Sequence, residues 1–149
     1  MGSEPLQLII DGAWVAGYGV GADEIDAEHR RLFRMLDRMR AAYAARQEKF
    51  CLSLIKEFAE AIRTHFAHEE ALFTKLSYPG ANRHCAQHAM LALRVDAILE
   101  VAGRVPVTRR VLADLIDGLA VVVMIDHLTL DLELRQSCAS PPAAGPAVP

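Results

Sequence analysis

Five histidines and two carboxylates recur along this chain at spacings that could build one metal site: His29, then His65 with Glu69, His84 with His88, and His127 with Asp131. Each of the three pairs is four residues apart. An α-helix turns once every 3.6 residues, so both side chains of such a pair leave one face and point at one spot. A lone imidazole in an apolar stripe is satisfied by a single hydrogen bond. Carboxylates buried in the same place cost several kcal/mol each unless a cation offsets them. Five nitrogens and two carboxylates exceed the four ligands that close a tetrahedral zinc site. The donor count therefore implies two ions, with carboxylates able to bridge them, and the residue types leave iron, copper, zinc and nickel open.

Helices must carry these residues, and the apolar periodicity supplies four. From about Asp23 to Arg46, the residues His29, Leu32, Phe33, Leu36, Met39 and Tyr43 recur at steps of three and four, the stripe of an amphipathic helix. A second helix is expected from about Glu48 to Ser77, with Leu54, Phe58, Ile62, His65, Glu69, Leu72 and Leu76 inward, and Pro79-Gly80 ends it. A third, about Ala81 to Val101, turns His84, His88, Leu91, Val95 and Ile98 inward and stops before Gly103 and Pro106. The fourth starts at Thr108 as N-cap and runs to about Gln136, with Leu112, Ile116, Ala120, Val123, His127, Asp131 and Leu134 on one line. The β-branched run Val121–Val123 could suggest a strand. The helical period around it extends over more than twenty residues and outweighs that local propensity.

Four helices with short connections imply an all-α, antiparallel up-down four-helix bundle, an architecture whose facing side chains commonly build metal sites. The bundle is expected over residues 23–138. Residues 1–22, with Trp14, Tyr18 and several glycines, are expected to form an N-terminal arm, and the Pro- and Ala-rich residues 139–149 a disordered tail.

Composition bounds the function. With 149 residues, 52% of them hydrophobic, one globular core is expected. A net charge of −3 supplies no basic field for nucleic acid or an anionic membrane. No apolar run approaches the roughly 20 residues that span a bilayer, and the start of the chain lacks the pattern of a secretory signal. Cys51, Cys85 and Cys138 are odd in number and irregularly spaced, which argues against a disulfide framework. A cytoplasmic protein is the expectation.

The segments Trp14 through Gly21, Ile25-Asp26-Ala27-Glu28-His29, His65-Phe66-Ala67-His68-Glu69-Glu70, Tyr78-Pro79, His84 with His88, and His127-Leu128 resemble the bacterial hemerythrins in order and separation. The resemblance covers roughly residues 14 to 135. It implies an oxygen-bridged pair of iron ions, with His84, His88 and His127 on one iron, His29 and His65 on the other, and Glu69 and Asp131 bridging. Dioxygen would enter the coordination place left open, in a pocket lined by Leu32, Phe66, Val123, Met124 and Leu128. The implied function is non-enzymatic: reversible dioxygen binding for storage, delivery or sensing. The alternatives are a di-iron enzyme reducing nitric oxide or peroxide, and an iron or oxygen sensor acting through an effector partner.

Two departures from the family pattern stand out. The family usually sets its last carboxylate five residues after its last histidine, but position 132 is Leu and the acid is Asp131. On a regular helix a four-residue step keeps His127 and Asp131 about 40° apart, which leaves Asp131 a ligand and Glu133 pointing elsewhere. The second is Val123, where the family commonly has a tryptophan; its loss would enlarge the pocket unless Met124 or the arm fills it. His68 and Glu70 are expected at the surface or behind the ligands. Asp26 is expected to help start the first helix, and Cys85 to pack away from the metal.

Overall fold

The computed structural model describes residues 19–104 and 106–139 of the chain, all helix and connecting turns. Most of the expected arm and tail, Trp14 and Tyr18 among them, lie outside the described residues. Four helices follow in order: α1 Asp23–Ala44, α2 Glu48–Leu76, α3 Ala81–Ala102 and α4 Arg109–Ile125. A single π-helical turn, Asp126–Leu130, then leads into α5, Asp131–Ala139.

The boundaries have local causes. Gly21 takes φ 89°, a left-handed conformation that glycine adopts without strain, and turns the chain into α1. Asp26 then pins the entering segment, accepting from the N–H of Val20 at 2.7 Å and of Gly21 at 3.3 Å. At the end of α2, Ser77 is left-handed, and the N–H of Tyr78 reaches the carbonyl of Phe73 at 3.0 Å, satisfying a terminal carbonyl just before Pro79. Thr108 caps α4 as expected, its hydroxyl accepting from the N–H of Val111 at 3.3 Å.

Contacts run round a ring: α1 packs on α2 and α4, and α3 packs on α2 and α4. The main core includes Leu36, Met39, Leu54, Phe58, Ile62, Val95, Ile116 and Leu119, and a smaller apolar cluster forms around Phe73, Tyr78 and Leu134. The donor residues lie between these two layers. Along α2 the chain passes Ile62, then His65 and Glu69, then Phe73; along α3 it passes His84 and His88 before Leu91. On α1 His29 precedes core residue Leu32, and on α4 core residue Val123 precedes Asp126. The order alternates from helix to helix, which is the antiparallel up-down bundle, with the polar layer at one level of all four rods.

The fourth helix departs from the regular rod expected from Thr108 to Gln136. Its ladder breaks into a π turn at Asp126, where the N–H of Asp131 donates to the carbonyl of Asp126, five residues back. The extra residue in that turn cancels the 100° wheel on which the sequence reading of this segment rested.

A candidate metal centre between the two apolar layers

All seven sequence-predicted ligands are buried: His29, His65, Glu69, His84, His88, His127 and Asp131 are each 2% exposed or less. An eighth polar residue joins them. Asp126 is 1% exposed and lies in the middle of the cluster. Its Oδ2 stands 3.2 Å from His65 Nε2, and its Oδ1 3.1 Å from His88 Nε2 and 3.7 Å from His84 Nε2.

Among the described residues, the donor atoms form two groups in which every atom lies within 4.8 Å of the others. One is His29, His65, Glu69, Asp126 and Asp131; the other is Glu69, His84, His88 and Asp126. Glu69 and Asp126 belong to both, which is how carboxylates shared between two adjacent cations would be placed. His29 and His65 fall in one group, and His84 and His88 in the other. Asp131 sits 2.9 Å from His29 Nε2 and 3.4 Å from His84 Nε2, so it touches both halves. His127 falls in neither group. Its ring packs 4.4 Å from that of His29 and edge-on to Phe33 at 5.6 Å, with Nδ1 3.7 Å from Asp131 Oδ2.

These groups approach one another without bonding well. Both oxygens of Glu69, both of Asp131 and both ring nitrogens of His84 are buried with no aligned hydrogen bond, although nitrogens and oxygens stand 2.9–3.6 Å apart. Side chains that aim at a common point rather than at each other are what a cation's ligands look like, and buried polar atoms left unmatched are costly otherwise. The residues present therefore fit a metal centre, and the cluster can hold metal ions.

Without a cation the carboxylates act on the imidazoles. Burial disfavours charge on His65, yet Asp126 and Glu28 outweigh it and push the ring up to about 10. Burial also opposes charge on His88, where Asp126 and Glu69 raise it to about 10. His29, against Asp131 and Glu69, and His84, against Asp126 and Asp131, are each pushed up to about 9 over the same opposition from burial. Burial and the nearby Asp131 raise the Asp126 carboxyl, but His65, His84 and His88 hold it far below the usual carboxylate range. A divalent cation would replace those protons with its own charge.

A second ring of contacts sets the imidazole orientations. Nδ1 of His65 donates to Glu28 at 2.9 Å, and Nδ1 of His88 donates to Glu70 at 3.0 Å, so both rings turn Nε2 inward. His68 is exposed and bonds to the other oxygen of Glu28, behind the ligands as expected. Glu133 faces outward to Tyr78 and Arg83. Cys85 packs against the smaller apolar cluster.

Of the expected pocket residues, Leu32, Phe66 and Val123 are buried in the main core, and Phe66 stacks on His88 at 4.1 Å. Met124 and Leu128 are half-buried. Sequence reasoning missed Asp126 and the supporting role of Glu28. The signal for Asp126 was present as an acid closing the apolar run Val121–Ile125, five residues before Asp131.

A family profile described as the hemerythrin HHE cation binding domain matches residues 20–130. A bacteriohemerythrin of Stenotrophomonas maltophilia is 32% identical over 82 residues, covering 55% of this chain and 54% of that protein. A bacteriohemerythrin of Pseudomonas aeruginosa is 26% identical over 83 residues, covering 56% and 54%. A hemerythrin-like protein of Naegleria gruberi is 27% identical over 75 residues, covering 50% and 58%. The matched stretch thus spans little more than half the length of these relatives. No solved structure matches.

Proposed function

Because this chain belongs to the hemerythrin HHE cation-binding domain family, we propose that it binds dioxygen reversibly at a pair of iron ions, for storage, delivery or sensing rather than catalysis. The observation that carries the reading is the pair of donor groups joined through two shared carboxylates, Glu69 and Asp126. When bound, such an iron pair would supply the electrons on which dioxygen binding depends and recover them on release.

The protein's own residues do the rest. His29 and His65, with Asp131, would hold one ion, and His84 and His88 the other, with Glu69 between them. Imidazoles bring less negative charge than carboxylates, so a set rich in histidine restrains oxidation of the metals more than an all-carboxylate set would. Glu28 and Glu70 keep the Nδ1 protons of His65 and His88 outside, leaving Nε2 for the metal. Leu32, Phe66 and Val123 form the apolar wall on the core side, and a dry wall limits proton access to the bound gas. Met124 and Leu128 would complete the pocket from the fourth helix.

The test is to load the metal-free protein with ferrous iron in the absence of air, admit dioxygen, remove it, and follow the visible charge-transfer bands. Colour that appears and fades reversibly is expected. A second reading, a di-iron enzyme that reduces nitric oxide or peroxide with a redox partner, draws on the additional carboxylate of Asp126, because anionic ligands favour ferric iron. One-way bleaching with consumption of reductant would support that reading and overturn the first.

A further inference from the structure

We propose that Asp126, not His127, is the ligand that the fourth helix places at the centre of this site, shared by both metal positions. This rests on the two-metal reading above and goes beyond it by naming a ligand that the spacing of the histidines did not suggest.

The geometry separates the two neighbours. Asp126 belongs to both donor groups and His127 to neither. The Asp126 carboxylate faces imidazole nitrogens from two other helices, His65 at 3.2 Å and His88 at 3.1 Å, with each oxygen directed to a different helix. A carboxylate with one oxygen toward each half of a cluster is placed to bridge. The ring of His127 instead lies against His29 and Phe33, with its Nδ1 toward Asp131, a position from which it orients Asp131.

The backbone supports the same assignment. In a regular helix, residues five apart diverge by about 140°, so Asp126 and Asp131 could not both face inward. The π turn brings both in, each 1% exposed. Such turns are rare and occur often at functional sites. Bringing Asp126 and Asp131 into the same buried site as Glu69 places three carboxylates together, a repulsive arrangement that two divalent cations would offset.

The consequence is chemical. Four imidazoles and three carboxylates would surround the ions, in place of five imidazoles and two carboxylates. Exchanging a neutral ligand for an anionic one stabilises ferric over ferrous iron, so the midpoint potential of the pair falls.

The full-length protein and its variants Asp126→Asn, Asp126→His and His127→Gln would be loaded anaerobically with ferrous iron and desalted, then assayed for iron per chain, midpoint potential and helical circular dichroism. His127→Gln is expected to keep two ions, and Asp126→Asn to keep one or none. Asp126→His is expected to hold two ions at a higher potential than the wild type. Two ions and an unchanged potential in Asp126→Asn would overturn the proposal, as would loss of an ion from His127→Gln alone. Should Asp126→Asn fail to fold, the other two variants decide. A wild type that takes fewer than two ions would overturn the two-metal reading itself, an outcome distinct from a wild type with two ions and an indifferent Asp126.

Discussion

The backbone N–H of Asp131 donates to the carbonyl oxygen of Asp126, five residues back, and that one π-type bond sets the direction of both carboxylates. Adding one residue to the turn tests its importance, because the turn already absorbs one extra residue. An alanine inserted after exposed Thr129 would rotate the following residues by about 100° relative to Asp126. Iron capacity should fall by at least one ion per chain while helical circular dichroism persists. An insertion variant with full capacity would show that the turn is incidental.

Glu28 and Glu70 touch the outward nitrogens of His65 and His88 rather than the centre of the cluster. Truncating either to alanine should weaken metal affinity by roughly 10- to 100-fold, the usual scale for such supporting carboxylates. The number of ions bound at saturation should not change. Competition with a chromophoric chelator reads affinity and capacity separately.

The metal-free and metal-loaded proteins should respond oppositely to pH. In the metal-free protein His29 and His84 are raised to about 9, and His65 and His88 to about 10, from an ordinary 6.5. A pKa raised on folding adds stability that is fully present below about 6.5 and disappears as pH climbs through the folded values of 9 to 10. Asp126 and Asp131 are lowered from 3.8, so their contribution is present above that value and is lost only at more acid pH. The metal-free Tm should therefore fall progressively from about pH 6.5 to about pH 10. Bound metal requires neutral imidazoles, so the loaded protein should keep its Tm through that range and lose it on acidification as protons displace the ions. Parallel Tm profiles for the two forms would contradict this account of the cluster.

Two phenylalanines separate packing from site support. Phe58 is fully buried in the main core, and Phe58→Ala should cost roughly 3–5 kcal/mol with no change in metal capacity. Phe66 is also buried but stacks on His88 at 4.1 Å, so Phe66→Ala should lower both stability and metal affinity. Chemical denaturation with chelator titration measures both effects.

Most of the bundle was legible in the sequence because its signals are local and periodic. The stripe from His29 to Met39, the Pro79-Gly80 stop and the Thr108 cap each reappear in the structure, with helix ends within two residues over α1 to α3. The i, i+4 pairs His65–Glu69 and His84–His88 also converge, since both lie on uninterrupted helix. The fourth helix was read on the same wheel, and there the premise of 3.6 residues per turn failed. On that wheel Asp126 points about 100° from His127 and drops out of view. A π turn leaves no residue-type signature to read in advance. Glu28 was equally hidden, because its contact with His65 depends on how α1 and α2 pack and not on spacing within either helix.

The central claim is that the bundle holds two metal ions between Glu69, Asp126, Asp131 and the histidines of three helices. Quantitative iron analysis of protein loaded with ferrous iron without air and then desalted tests it most directly. Two irons per chain, reduced when His65 and His88 are replaced, is the predicted result. A ratio of one or less, or a metal content indifferent to those replacements, would contradict it.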